Sequence, residues 1–168
     1  MNTLINLVSK FDFAGVNRIS QKIGKGAGGF YTEEIREAGR RIGFRIKTLD
    51  GKTGLLSGVD VDSPYRLGRY KVDLKDFENI ALPAIKDALK GSKTVIIDEI
   101  GPMELFSDKF KDAVLKTLDS RNPLVATVKL KGSKFINKIK SRRDAVIFEL
   151  GQTDKKEILE AVLRAIDK

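Results

Sequence analysis

The sequence contains no cysteine and no histidine. Without cysteine the chain cannot form disulfides or thiolate metal sites, and this composition is typical of cytoplasmic proteins. Without histidine, imidazole is excluded from every catalytic and metal-binding role. Acid–base chemistry must therefore use carboxylates, lysine or tyrosine. Any bound metal is expected to be a hard, oxygen-ligated ion such as Mg²⁺.

The chain also lacks long apolar runs, internal repeats and low-complexity linkers. No run approaches the roughly 20 apolar residues of a membrane-spanning helix. The first residues lack the basic-then-apolar plan of a secretory signal. With 168 residues, of which 41% are hydrophobic and 33% charged, the composition predicts a soluble globular protein with one domain over residues 1–168 and no membrane partner.

Acidic residues are fewer than basic ones. There are 23 Asp and Glu against 32 Lys and Arg, which gives a formal net charge of +9. A positive surface favours anionic partners, here nucleotides or nucleic acid. A chain rich in Lys, Arg and Glu but without Cys, His or Trp also resembles the surface of a heat-adapted protein, and composition does not separate these two interpretations.

Two neighbouring carboxylates follow the most apolar stretch of the chain. Thr94–Ile97 carries no charge, Asp98 and Glu99 come next, and Gly101-Pro102 ends the run. This pattern predicts a strand buried on both faces of a parallel sheet, with both acids at its carboxyl end, where open α/β sheets bind ligands. In nucleotide hydrolases such an Asp holds Mg²⁺ and the next acid orients water. The alternative is an acidic pair that opens a solvated turn.

The pattern of the whole chain predicts an α/β fold. Residues 30–57 form three short runs separated by turns, which indicates an antiparallel β meander. From residue 73 onward helices and strands alternate, which indicates a mostly parallel sheet with helices on both faces. The predicted elements are a helix 73–90 kinked at Pro83, a helix 110–119, a strand 124–128, a helix 133–141, a buried strand 145–148 and a helix that begins at the Asp154–Glu157 capping pair. Residues 4–8 fit either a strand or a helical face, and residues 24–29 read as a flexible loop.

Several blocks of the sequence resemble the thermophilic nucleoside-triphosphatase family, also called cancer-related nucleoside-triphosphatases. The blocks are Val95–Leu105, which resembles the family's second nucleotide motif, together with Gly29–Arg36, Arg41–Phe44, Gly68–Tyr70, Ile80–Ala84 and Val125–Val128, in the family's order. The resemblance covers about residues 26–166. It implies a P-loop-type, three-layer α/β/α fold with an inserted meander, and Mg²⁺-dependent hydrolysis of ATP, GTP and other nucleoside triphosphates.

The resemblance also implies a set of site residues. Asp98 would hold the metal ion, and Glu99 would orient and activate the attacking water. The nucleotide-binding positions would be Val95, Ile96, Ile97, Asp98, Glu99, Ile100 and Gly101.

The family's phosphate-binding loop, Gly-x-x-Gly-x-Gly-Lys-Thr/Ser, is missing. The chain contains no Gly-Lys-Ser/Thr, and the nearest remnant is residues 12–20. There Gly15 matches a loop glycine, Arg18 replaces the lysine, and Ser20 supplies a hydroxyl, a candidate second metal ligand, one place late. An ungapped alignment from Gly29 instead puts residues 12–13 at the Lys-Thr pair. Losing the lysine and the glycine turn predicts weak nucleotide binding and slower hydrolysis than in relatives with an intact loop.

Other charged residues carry weaker hypotheses. Glu33, Glu34 and Arg36 read as exposed strand charges, with a position facing the nucleotide as the alternative. Arg66 and Arg69 read as surface arginines, with a phosphate clamp by one of them as the alternative. Glu104 reads as a cap or ion-pair partner of the following helix. Seven basic residues lie between Lys129 and Arg143: Lys129, Lys131, Lys134, Lys138, Lys140, Arg142 and Arg143. They support an alternative, a non-catalytic protein on the same scaffold that binds nucleotide or nucleic acid, although a solvated basic face is favoured.

Overall fold

The computed structural model describes residues 4–8, 13–129, 132–149 and 154–166. Its strands are β1 (Leu4–Val8), β2 (Ala27–Glu37), β3 (Arg40–Thr48), β4 (Thr53–Gly58), β5 (Arg66–Leu67), β6 (Tyr70–Val72), β7 (Thr94–Ile100), β8 (Leu124–Val128) and β9 (Ala145–Glu149). Its helices are α1 (Phe13–Ile23), α2 (Leu74–Lys90), α3 (Asp108–Leu118), α4 (Lys134–Lys140) and α5 (Lys155–Ile166), with 3₁₀ turns at Gly24–Gly26 and Glu104–Phe106. In the described part of the chain, no helix combines the length and apolarity needed to cross a bilayer.

All described strands belong to one sheet in the order β5-β6-β4-β3-β2-β7-β8-β1-β9. Strands β2, β7, β8, β1 and β9 pair in parallel, whereas β2 to β6 pair antiparallel. Strand β2 joins the two halves because its first residues pair with β7 and its later ones with β3. The predicted mostly parallel sheet with an inserted meander is therefore confirmed.

Strand β7 is covered on both faces, as its unbroken apolar run predicts. Val95 and Ile97 lie in the core that α2, α3 and α4 cover, whereas Ile96 lies in a second core with residues of α1 and α5. Residues 94–98 of the strand are all buried. The two covered faces confirm the three-layer α/β/α arrangement.

Three phenylalanines hold the larger core together. Phe30 of β2 lies 5.9 Å from both Phe77 and Phe110 between ring centroids, and the latter two rings lie 5.3 Å apart. None of the three side chains has any solvent exposure. The cluster links the sheet to α2 and α3, and edge-to-face ring contacts add to the stability that burial provides.

The helices that flank β7 begin at the caps that their sequences supply. Asp73 accepts a hydrogen bond from the Asp76 amide (2.9 Å) at the start of α2, and Ser107 accepts one from the Phe110 amide (3.0 Å) at the start of α3. Pro83 lies inside α2, which continues to Lys90. These caps fix where the helices start relative to the strand that each one adjoins.

Three expectations are settled or corrected by the fold. Residues 4–8 form a strand, and the predicted loop over 24–29 is a short 3₁₀ turn followed at Ala27 by β2. Gly29 has φ +121° there, and a Cβ on it would lie only 2.0 Å from the Ile96 carbonyl oxygen, so β2 and β7 approach each other through a glycine. Strand β9 was predicted to be buried, but Val146 and Ile147 are 47% and 44% exposed. The reason is that β9 is the edge strand of the sheet that the described residues form, where it pairs with β1 alone.

The phenylalanine cluster predicts where stability resides. Replacing Phe30 by Ala should lower the free energy of unfolding by about 3–5 kcal/mol, because it removes the ring that touches both other rings. Val146→Ala on the exposed edge strand should change it by about 0.5 kcal/mol or less. Urea denaturation of both variants measures the difference, and equal losses would contradict this account of the core.

Candidate active site

Asp98 lies buried at the carboxyl end of β7, with 8% of its surface exposed. The Thr127 hydroxyl of the neighbouring strand β8 donates a hydrogen bond of 2.5 Å to its Oδ1. Burial raises the pKa of Asp98 to about 6, the Thr127 hydrogen bond acts in the opposite direction, and the charge of Glu99 raises it further. A buried carboxylate that one hydroxyl partly stabilises is a strong acceptor for a cation.

Glu99 faces a cavity of about 300 Å³. The residues that line it with Glu99 are Thr32, Arg41, Phe44, Leu56, Leu67, Gly68, Tyr70, Pro102, Met103, Glu104 and Lys129. Burial raises the pKa of Glu99, and the positive charge of Lys129 partly opposes that rise. Open space therefore adjoins the strand end, as the active-site interpretation of the acidic pair requires.

Glu104 is a third carboxylate at this strand end. It is 5% exposed, and its Oε2 accepts a hydrogen bond from the Gly101 amide at 3.1 Å. Burial raises its pKa to about 8, and the charges of Glu99 and Asp98 add to that effect. The expected role as cap or ion-pair partner of the next helix is not what the structure shows, because Ser107 caps α3 and no ion pair of Glu104 occurs among the described residues.

These carboxylates fit Mg²⁺ better than a metal that needs a closed protein site. Among the described residues, no group of three or more acidic side chains surrounds a common metal position. Asp98 forms no ion pair with any other described residue. Mg²⁺ is held by one or two carboxylates together with water and substrate phosphates, so a single buried Asp with one hydroxyl partner suits it.

Arg41 of β3 is the arginine that lines the Glu99 cavity. It donates to Glu34 (2.7 Å) and to the Tyr70 hydroxyl (2.9 Å), and its guanidinium lies 5.1 Å from the centre of the Phe44 ring. These contacts hold the guanidinium beside the cavity. They also hold the pKa of Glu34 below its ordinary value, through the Arg41 hydrogen bond first and the Arg36 hydrogen bond second.

The two arginines suggested as phosphate clamps do not line this cavity. Arg66 donates to the Gly68 carbonyl oxygen at 2.6 Å, and Arg69 donates to the carbonyl oxygen of Arg41. Both side chains thus support the turn between β5 and β6 and its contact with β3. The sequence did not indicate Arg41 as a residue of this cavity. Arg41 is brought to the same cavity as Glu99 by the pairing of β3 with β2 and of β2 with β7.

The candidates for a substitute phosphate loop lie in a helix. Strand β1 ends at Val8 and α1 begins at Phe13, so Gly15, Arg18 and Ser20 are helical, and Arg18 is exposed. Residues 9–12, which include Asp12, lie outside the described residues and contain no glycine in the sequence.

Ser20 is not placed with Asp98. It lines a separate, larger cavity of about 780 Å³, together with Gly28 and Lys93 at the amino ends of β2 and β7. That is the sheet edge opposite the acidic pair. The expectation that Ser20 supplies a hydroxyl to the metal of Asp98 is therefore corrected, because helix α1 carries Ser20 along the sheet and away from the carboxyl edge.

The seven basic residues 129–143 do not form one uniform face in the described structure. Lys129 lines the Glu99 cavity, Lys140 donates to the Lys129 carbonyl oxygen (2.6 Å), and Arg142 pairs with Asp119 (2.8 Å) and Asp144 (2.9 Å). Lys131 lies outside the described residues. Binding of nucleic acid by this segment stays an untested prediction.

Thr127 and Lys129 were missed as site residues. Both stand at the carboxyl end of β8, the strand next to β7, and parallel neighbours end at the same edge. The sequence held that signal, since a polar Thr and a Lys flank Val128 after an apolar run. What it lacked was the information that β8 is adjacent to β7.

The burial of Glu104 predicts a pH dependence of stability. The folded protein keeps the Glu104 proton up to about pH 8, whereas the unfolded chain loses it near 4.5. Since the folded state binds more protons over this interval, the free energy of unfolding should fall as the pH rises from the lower value to the upper. The effect is on the order of a few kcal/mol, because one pKa unit is worth about 1.4 kcal/mol.

Glu104→Gln should remove that part of the slope and leave the variant more stable than the wild type at pH 8. Urea denaturation at several pH values measures it, with Glu160→Gln on the exposed face of α5 as the control. Parallel curves for wild type and Glu104→Gln would show that Glu104 ionises in the folded protein as it does in the unfolded chain.

The comparisons with known proteins agree with this geometry. The chain matches the family described as NTPase over residues 14–163. It is 49% identical over 140 residues to nucleoside-triphosphatase THEP1 of Thermotoga sp. (strain RQ2), which covers 83% of this chain and 80% of that protein. It is 37% identical over 151 residues to the human cancer-related nucleoside-triphosphatase, covering 82% and 80% of the two chains.

Solved structures show the same fold. The crystal structure of THEP1 from the hyperthermophile Aquifex aeolicus superposes with a TM-score of 0.88 at 34% identity, covering 99% of both chains. The solution structure of a human cancer-related nucleoside triphosphatase gives a TM-score of 0.82 at 31% identity, covering 99% of this chain and 97% of the other. Both the resemblance read from the sequence blocks and the P-loop-type α/β fold are thereby confirmed, and the chain belongs to the NTPase family.

Proposed function

We propose that the protein hydrolyses nucleoside triphosphates, including ATP and GTP, to the diphosphate and phosphate in a Mg²⁺-dependent reaction. The names of its relatives support the reaction class, since both the bacterial and the human proteins are called nucleoside-triphosphatases. The observation that carries the proposal is the placement of Glu99 beside open space while the adjacent Asp98 is buried at the same strand end.

Asp98 is the residue that would hold the metal. When bound, Mg²⁺ neutralises the charge that develops on the β- and γ-phosphate oxygens during phosphoryl transfer. The Thr127 hydroxyl fixes one carboxylate oxygen of Asp98, which sets the orientation of the group. A polar neighbour of this kind keeps a ligand in place and raises metal affinity.

Glu99 has the position and the environment of a general base. Its carboxylate accepts a hydrogen bond from water in the cavity and takes a proton as the oxygen attacks the γ-phosphorus. Burial raises its pKa above the ordinary value of a glutamate, which improves proton acceptance, while Lys129 favours the ionised form that the role needs. Arg41 and Lys129 place positive charge along the same cavity, where it offsets the charge of a phosphate group.

The replaced loop changes how strongly the substrate is held. Neither Arg18 nor Ser20 stands in a loop, so the close backbone approach that glycines allow is not formed by the described residues. The hydrogen bond between Thr127 and Asp98 involves no residue of that segment. We therefore infer weaker nucleotide binding together with intact groups for water activation.

Glu99→Gln tests the reaction directly. The amide cannot take a proton, so phosphate release from ATP and GTP should fall by about 100-fold or more. The assay measures inorganic phosphate with Mg²⁺ and with excess EDTA, and circular dichroism confirms the fold. Glu160→Gln is the matched control on an exposed helix face. Unchanged phosphate release in Glu99→Gln would remove Glu99 from the mechanism.

Thr127→Val tests the metal assignment. Valine keeps the size of threonine but cannot donate to Asp98, so the Mg²⁺ concentration that gives half-maximal activity should rise by about 10-fold. Thr127→Ser restores the hydroxyl and should return the Mg²⁺ requirement to near the wild-type value. If the requirement is the same in all three proteins, Asp98 does not act through this hydrogen bond.

A further inference from the structure

We propose that Glu104 is a positioning residue for Glu99, and that it acts through the backbone of Gly101. Its carboxyl group fixes the turn that follows β7 and occupies the space into which the Glu99 side chain would otherwise fall back. Glu99 is thereby kept directed at the cavity. This inference rests on the proposed function, because positioning matters only if Glu99 acts on water.

The turn after β7 is closed by hydrogen bonds between Gly101 and residues 104–105. The Gly101 amide donates to Glu104 Oε2 at 3.1 Å, and the Gly101 carbonyl oxygen accepts from the Leu105 amide at 3.0 Å. Hydrogen bonds thus fix both the amide and the carbonyl group of Gly101. Of these two hydrogen bonds, only the one to the Glu104 side chain can be removed by a substitution.

Gly101 leaves room that both carboxylates use. A Cβ on Gly101 would lie 2.8 Å from Glu104 Oε2 and 2.9 Å from Glu99 Oε1. Real Cβ atoms do not approach oxygens so closely, so the two acids occupy the space of the missing side chain. The carboxylates of Glu99 and Glu104 consequently both lie against the Cα of Gly101. A displacement of the turn or of Glu104 would therefore displace the Glu99 carboxylate as well.

The environment of Glu104 is unfavourable for a residue with only a structural task. It is 5% exposed, it lies near the carboxylates of Asp98 and Glu99, and its side chain accepts hydrogen bonds from the backbone amides of Gly101 and of Glu104 itself. A buried acid beside like charges costs stability relative to an apolar residue of similar volume. Residues that destabilise the fold are expected at functional sites.

Glu104→Gln and Glu104→Met separate positioning from support of the fold. Glutamine keeps the volume and an oxygen that accepts from Gly101, whereas methionine keeps only the volume. Glu104→Gln should retain kcat within about threefold, while Glu104→Met should lower kcat by about 100-fold and leave KM nearly unchanged. The Tm of Glu104→Met should equal or exceed that of the wild type at pH 8.

Wild-type kcat in Glu104→Met would overturn the proposal. So would equal losses of kcat and Tm in both variants, because that pattern indicates a purely structural residue. If Glu99→Gln is as active as the wild type, the proposed function fails as well. If Glu99→Gln is inactive while Glu104→Met is fully active, only the positioning role of Glu104 falls.

A spectroscopic measurement does not depend on turnover. In protein labelled with ¹³C-glutamate, the Glu99 carboxyl resonance is identified by its loss in Glu99→Gln. It should shift in Glu104→Met and in Gly101→Ala, whose added methyl group meets both carboxylates. It should stay in place in Gly91→Ala, where the nearest atom to an added Cβ is 3.3 Å away. An unmoved Glu99 resonance in Glu104→Met would show that Glu104 does not position it.

Discussion

The burial of β7 is the constraint on which the site depends. This strand is hydrogen-bonded on both edges, to β2 and to β8, and helices cover both of its faces. Its backbone is therefore fixed, and the first polar side chains after the apolar run emerge where water is scarce. Asp98 is held in a low-dielectric position because the strand that carries it has no freedom to move toward solvent.

The same strand end gives three carboxylates three different environments. Asp98 has a hydroxyl partner, Glu99 has an open cavity and a nearby lysine charge, and Glu104 is buried with backbone amides as its hydrogen-bond partners. Like charges at short range push protons onto the group that is least well stabilised. Glu104 is that group, because burial and the charges of Glu99 and Asp98 raise its pKa to about 8.

The sequence was most informative where the cause of structure is local. An unbroken apolar run predicted β7, alternation and turns predicted the meander, and the acidic and hydroxyl caps lie at the helix starts. The prediction for β9 was wrong because a short apolar run reads the same in the centre of a sheet as at its edge. Strand order decides between them, and strand order is a property of the whole chain.

Site residues, too, could be predicted from local sequence signals but not from strand order. The sequence indicated Asp98 and Glu99 as candidates because they are adjacent in it, whereas Thr127, Lys129 and Arg41 come near them only through strand pairing. Gly15, Arg18 and Ser20 were chosen by matching a loop motif, and that choice overlooked the helical spacing of the segment. Ile19 and Ile23 lie on its buried side, which is why the segment forms α1 and not a loop.

The hydrogen bonds that fix the proposed site at the end of β7 do not involve helix α1. The groups at the end of β7 are held by β8 and by the 3₁₀ turn at Glu104–Phe106, and none of these contacts passes through α1. Since activation of water needs a placed base and nucleotide affinity needs backbone donors, we infer that loss of the loop motif weakens nucleotide binding more than it weakens activation of water.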